Sequence, residues 1–142
     1  MDLQIVLNSG MGDIRFGCTP EIVRGLLGEP EDVEELESAM DGNVESIVWN
    51  YPDMGLNFFF DAANGEPTLI TIESDNLETV LFNSKVFNVT KDNIIVLMKE
   101  NGFKEVDEDD EAWGEHRVTF EDAQIDFYFD DQELTLVSWG SY

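Results

Sequence analysis

The sequence repeats part of itself, and this internal similarity constrains the fold more than any other feature. Tyr51–Asp61 (YPDMGLNFFFD) aligns without a gap to Phe120–Asp130 (FEDAQIDFYFD). Upstream, Phe16–Thr19 resembles Phe87–Thr90. Matches spaced by about 70 residues predict two similar structural units, because short-period solenoids repeat at much closer intervals.

We predict one unit over residues 1–75 and a second over residues 76–142, packed together as one compact domain. Each unit is predicted to be a helix followed by a three-stranded meander. In the first unit Thr19 is a good N-cap and Pro20 fits the first helical position; in the second unit Thr90 is the N-cap. The predicted fold class is α+β: two similar α-β-β-β units, with antiparallel sheet or sheets and the helices on one face.

Apolar residues at helical spacing define the side of each helix that should face the sheet. The predicted stripes are Ile22, Val23, Leu26 and Leu27 in the first helix, and Ile94, Ile95, Leu97 and Met98 in the second. The predicted strands are residues 47–51, 56–60 and 69–72 in the first unit, and residues 117–120, 125–129 and 134–139 in the second.

Alternation along the strands predicts one aromatic residue per unit on the side of the sheet away from the helices. Phe58 and Phe127 should point toward the helices, so Phe59 and Tyr128 should point away. These two rings are either partly covered, by long neighbouring side chains or by the sheet of the other unit, or part of a binding face.

Each helix is followed by a long acidic connection. Residues 29–37 carry Val33 and Leu36, which with Met40 have the i, i+3, i+7 spacing of a short amphipathic helix. Residues 105–111 have no such stripe and are predicted to form a mobile loop. The candidate partner-binding residues from these connections and the strands are Asp107, Glu108, Asp109, Asp110, Glu111, Trp113, Phe59, Tyr128, Glu34 and Glu35.

The net charge of −25 restricts the possible partners. Such a charge repels nucleic acid and anionic membranes and accelerates association with basic proteins. The alternative is that the acidity serves only solubility. The N-terminus lacks the basic and apolar regions of a signal peptide, and no apolar run is long enough to span a membrane, so we expect a cytoplasmic protein. The oligomeric state is left open.

Catalytic and metal-binding patterns are weak. Cys18 is the sole cysteine, next to a helix N-terminus that would lower its thiol pKa, and His116 is the sole histidine. We expect these to be structural or surface residues, and we predict no enzyme activity and no cofactor. Asp107, Asp109 and Glu111 alternate as at the start of a calcium loop, but Ala112 occupies its glycine position, so calcium binding is a secondary alternative.

The first helix carries the motif Gly-x-Thr-x-x-x-Val-x-x-x-Leu-Gly-x-Pro, formed by Gly17 to Pro30. This resembles a small αβ module that occurs singly in the small lipoprotein of the outer-membrane β-barrel assembly machinery and in tandem in β-lactamase-inhibitory protein. The second unit departs from the motif, with Asn88 in place of the first glycine. The resemblance implies this αβ architecture and protein binding through the sheet face.

Together these patterns predict a protein-binding module. The leading hypothesis is a cytoplasmic inhibitor or immunity-type protein that neutralises a basic partner such as a nuclease toxin, with charge steering the association and aromatic rings holding the complex. The alternatives are a housekeeping scaffold whose acidity serves only solubility, and a calcium-binding module.

Overall fold

The computed structural model describes residues 2–110 and 114–140. Its two α-helices are α1 (Pro20–Leu27) and α2 (Lys91–Glu100). Each begins directly after a threonine in extended conformation, at the predicted N-cap position, but neither threonine side chain forms a capping hydrogen bond. No helix among the described residues is long and apolar enough to cross a membrane.

Eight of the described strands form one large antiparallel sheet. Its strands in chain order are β4 (Asp32–Glu37), β5 (Val44–Tyr51), β6 (Leu56–Asp61), β7 (Thr68–Ser74), β10 (Val106–Asp110), β11 (His116–Phe120), β12 (Ile125–Asp130) and β13 (Glu133–Gly140). Five short strands form two smaller sheets: β1 (Ile5–Val6), β2 (Gly10–Met11), β3 (Ile14–Arg15), β8 (Val80–Leu81) and β9 (Ser84–Lys85).

The spatial order of the large sheet is β10-β11-β12-β13-β7-β6-β5-β4. Strands β4–β7 and β10–β13 each run as an antiparallel meander, and the last strands of the two meanders pair with each other. This confirms the α+β class and the antiparallel pairing, and it shows that the two meanders form one continuous sheet, which the sequence left open. Each meander has four strands where the sequence predicted three.

The first additional strand is β4, and the prediction of a short helix over residues 33–40 is wrong. Val33 pairs with Trp49 and Glu35 with Ile47, so the backbone groups of this segment form ladder hydrogen bonds with β5. All six residues of β4 are exposed, and Val33 and Leu36 keep 48% and 54% of their surface accessible. The apolar side chains Val33 and Leu36 are therefore not part of the core.

The second additional strand is β10, so the prediction of a mobile loop is wrong for the described part of residues 105–111. Five residues of β10 pair with β11, from Val106 opposite Phe120 to Asp110 opposite His116. Both acidic connections thus form the edge strands of the sheet.

The hydrophobic core lies on one face of the sheet. Phe58 and Phe60 from β6, and Phe127 and Phe129 from β12, are fully buried in a cluster that includes Val23 and residues of α2 and the short hairpins. The indole N–H of Trp139 donates a 2.8 Å hydrogen bond to the carbonyl oxygen of Gly10, which ties the small sheet to β13. We call this side of the sheet the core face.

The alternate residues of the same strands form the opposite side, which we call the open face. Phe59 and Tyr128 belong to it, and both keep intermediate exposure. Val48, which pairs with Phe59, also belongs to it and is buried at 5% exposure.

The predicted helical stripes are only partly correct. Val23 is fully buried and Leu27 packs against the core, but Ile22 and Leu26 remain about half exposed at 50% and 53%. The stripe of α1 is therefore narrower than its apolar composition indicated, and part of this helix presents apolar surface to solvent.

Candidate functional site

A polar row crosses the open face from one edge of the sheet to the other. The strand registers place one residue of each strand directly opposite its neighbours in this row. Its members in spatial order are Asp32, Asn50, Asn57, Glu73, Ser138, Asp126, Thr119 and Asp107.

The two aromatic candidates lie on opposite sides of this row. Phe59 pairs with Val48 and Thr71, whereas Tyr128 pairs with Arg117 and Leu136. Both rings are half-buried on the face away from the core, as the alternation predicted. Half-buried aromatic rings on an acidic face provide apolar contact area that a protein partner can cover.

The acidic candidates divide between the two faces. Glu34 pairs with Val48 and lies on the open face, and Asp107 and Asp109 lie there with Arg117. By contrast Glu35 pairs with Ile47, and Glu108 and Asp110 pair with the core-face residues of β11. Glu111 and Trp113 lie outside the described residues.

The acids of β10 on the open face surround Arg117. Its Nη2 lies 3.8 Å from Asp107 Oδ2 and 3.6 Å from Asp109 Oδ2, and its Nη1 lies 3.9 Å from Asp126 Oδ1. Thr119 accepts a hydrogen bond from the guanidinium and donates one to Asp126. One cation is shared among three carboxylates, so this end of the open face keeps a negative charge while its side chains are held in place.

The acids of β10 on the core face surround His116. The imidazole Nδ1 lies 2.7 Å from Asp110 Oδ1 and Nε2 lies 3.0 Å from Glu108 Oε1. These hydrogen bonds, Asp110 first and Glu108 second, raise the pKa of His116. The bond from His116 in turn lowers the pKa of Glu108, and Lys91 Nζ lies 3.6 Å from the same carboxylate. His116 is therefore part of a charged cluster at the edge of the sheet.

Glu73 is a residue of the open face that the sequence analysis missed. It lies on β7, half-buried, and accepts a 3.5 Å hydrogen bond from Nδ2 of Asn57. Burial raises the pKa of its carboxyl group, and the bond from Asn57 offsets part of that rise. Since β7 pairs with β13 in the middle of the sheet, Glu73 places a poorly solvated carboxylate at the centre of the open face.

The environment of Cys18 does not favour nucleophilic chemistry. Burial raises the pKa of its thiol, which outweighs the hydrogen bond from the backbone of Arg15, so the expected lowering at the helix N-terminus is wrong. No group of three or more potential metal ligands is assembled among the described residues. Between Asp107 and Asp109, where a calcium ion would need free oxygens, the structure places the guanidinium of Arg117.

Comparisons with known proteins identify no family. No protein-family description and no curated protein matches this sequence. Among solved structures, an extracellular protein containing an SCP domain from Bacillus anthracis strain Ames is similar, with 13% identity and a TM-score of 0.48. The similarity covers 87% of this chain and 43% of that one, so this chain spans less than half the length of that structure.

Proposed function

We propose that this protein is an acidic protein-binding module whose open face captures a basic partner. The leading form of the proposal is a cytoplasmic inhibitor or immunity-type protein that neutralises a basic toxin such as a nuclease. Binding, in this proposal, does not involve catalysis by the module.

The composition of the open face is the observation that carries the proposal. Two half-buried aromatic rings lie there among carboxylates, and within the described strands of the large sheet Arg117 is the one basic residue on that side. The carboxylates of its central rows are Asp32, Glu34, Glu73, Asp107, Asp109 and Asp126. Charges of this kind act mainly on the association rate, and desolvated aromatic rings mainly on the dissociation rate.

We also propose that residues 1–75 and 76–142 are two copies of one unit, each with a helix followed by a four-stranded meander. The register shift in the β6–β7 ladder directly follows Phe59, and the shift in the β12–β13 ladder directly follows Tyr128. Phe59 and Tyr128 are equivalent positions in the aligned sequences. The resemblance of Gly17 to Pro30 to the αβ module of β-lactamase-inhibitory protein supports the same view, and adds the precedent of binding through a sheet face.

The protein encoded by the neighbouring reading frame provides the test of this proposal. An immunity-type protein is expected beside a large toxin-like protein with a basic C-terminal domain, and that domain should form a stoichiometric complex with this protein. Calorimetry should detect the complex, and the association rate should fall steeply as salt is added. If the neighbouring product has no basic domain, or does not bind, the acidity serves solubility and the proposal is wrong.

A further inference from the structure

A cleft of about 210 Å³ opens on the open face beside Glu73. The residues that line it are Pro52, Gly55, Leu56, Asn57, Asp75 and Leu136. Asn57 pairs with Glu73 across the β6–β7 ladder and donates to its carboxylate, so the cleft and Glu73 share one side chain. Leu136, which pairs with Tyr128, places an apolar wall on the other side.

The local backbone holds Asp75 at this cleft. Gly55 has a φ of 65° after a short turn, and its carbonyl oxygen accepts a 3.0 Å hydrogen bond from the backbone N–H of Asp75. A Cβ at Gly55 would lie 2.4 Å from Oδ1 of Asp75, so glycine leaves the space that this carboxylate uses. Asp75 is thus positioned by the fold of the turn.

The cleft is lined by hydrogen-bond acceptors and by the apolar side chain of Leu136. No basic side chain is among its described lining residues. Neither Glu73 nor Asp75 forms an ion pair with another described side chain, and Asn57 uses one amide hydrogen toward Glu73, which leaves its carbonyl oxygen as a further acceptor. Carboxylates and an amide oxygen match the several planar donors of a guanidinium, and Leu136 matches the aliphatic stem behind it.

We propose that this cleft receives an arginine side chain of the partner, with the guanidinium bound between Asp75 and the amide oxygen of Asn57, next to the carboxylate of Glu73. This inference rests on the proposed function, because it assigns the central contact of the same face. Glu73 shares Asn57 with the cleft without lining it, so its half-buried carboxylate adds negative charge beside the bound cation.

The cleft is tested with N-acetyl-arginine amide as the probe, titrated into the isotope-labelled full chain at constant ionic strength. Amide chemical shifts should change first at Asn57, Glu73, Asp75 and Leu136. The double variant Glu73→Gln and Asp75→Asn should weaken the fitted affinity by about threefold to tenfold. The matched variant Glu100→Gln, an exposed acid at the end of α2, should leave it unchanged, and N-acetyl-lysine amide should bind more weakly than the arginine probe.

Other outcomes contradict the assignment. Shifts spread evenly over the acidic residues of β4 and β10 would mean that the probe only senses net charge, and an unchanged affinity in the double variant would mean that the cleft is not its site. Unfolding curves recorded on the same samples check that the variants fold. If no basic partner binds at all, the proposed function is wrong. If such a partner binds the Glu73→Gln variant with the same affinity as the unchanged protein, only the assignment of the cleft is wrong.

Discussion

The two faces of the large sheet are built from neighbouring residues of the same strands, yet they differ in what their side chains contact. Phe58 and Phe127 are fully buried in the core, and the next residues, Phe59 and Tyr128, are half exposed on the other side. The comparison shows that a run of aromatic residues here has two physical roles. One set stabilises the fold by filling the core, and the other provides partly exposed aromatic surface on the open face.

The acids of β10 divide in the same way. Asp110 and Glu108 contact His116 on the core face, whereas Asp107 and Asp109 contact Arg117 on the open face. Each face therefore has its own basic residue from β11, so a change on one face should leave the electrostatics of the other largely intact.

The largest difference between the faces should appear when their aromatic residues are truncated. Phe127→Ala leaves a cavity beside Phe120, whose ring centroid lies 6.4 Å away, and should lower the free energy of unfolding. The expected loss is about 3 to 5 kcal/mol. Tyr128→Ala should cost roughly 1 kcal/mol or less, because its half-exposed ring leaves no closed cavity. Urea unfolding of both variants measures this contrast, and equal losses would mean that the open face is part of the core.

Removing the cation of the open face should have a smaller effect. Arg117→Gln leaves three carboxylates without their shared guanidinium, and should destabilise the protein by about 1 kcal/mol at low salt, less at high salt. Lys85→Gln is the matched control, since among the described residues Lys85 pairs with Glu78 alone, at 2.6 Å on an exposed surface. If both variants lose the same stability, the network around Arg117 adds nothing beyond an ordinary surface pair.

Removing the cation of the core face should have an effect that depends on pH. Because Asp110 and Glu108 raise the pKa of His116 in the folded protein, its contribution to stability is fully present below the ordinary histidine pKa while both carboxylates are ionised. It is lost as the pH rises through the raised value. Lys91, which contacts the same Glu108, reduces the effect. His116→Gln should therefore lower the melting temperature near pH 6 and leave it nearly unchanged at pH 9.

Replacing Glu73 should have the smallest effect on stability, and it should stabilise the protein where the other changes destabilise it. Burial raises the pKa of Glu73 in the folded state, so its ionisation opposes folding. The penalty is absent at acid pH, where folded and unfolded states are both protonated, and it develops as the pH rises above the ordinary glutamate pKa. Asp75, directly after the end of β7, and Asp126, beyond Ser138, are the nearest charged positions on that face. Glu73→Gln should raise the melting temperature at pH 7 and not at pH 4.

Much of the core face could be predicted from the sequence, because a strand with one buried face has apolar residues at every second position. This holds for the strands that carry Phe58 and Phe127. The edge strands could not be predicted because they lack this pattern. Strand β4 and most of β10 are exposed on both sides, so burial imposes no period on their sequence. Without that pattern, Val33, Leu36 and Met40 matched helical spacing by chance.

The candidate site was predicted in part. Phe59 and Tyr128 followed from alternation alone, whereas the separation of Asp107 from Glu108 required knowing that this segment is a strand. Glu73 could not be identified, since its burial depends on the pairing of β7 with β13, whose register is set by contacts between distant parts of the chain. No local pattern around Glu73 encodes that pairing.

The central claim is that the open face, and not the helical side, contacts the basic partner. The most direct test is the dissociation rate of the complex with the basic domain described above, measured for two double variants that each truncate two partly exposed apolar side chains to alanine. Phe59→Ala with Tyr128→Ala should speed dissociation by an amount on the order of 2 kcal/mol, roughly thirtyfold, with little change in association. Ile22→Ala with Leu26→Ala, on the exposed side of α1, should leave the rate unchanged. Faster dissociation in the helix variant and none in the open-face variant would contradict the account.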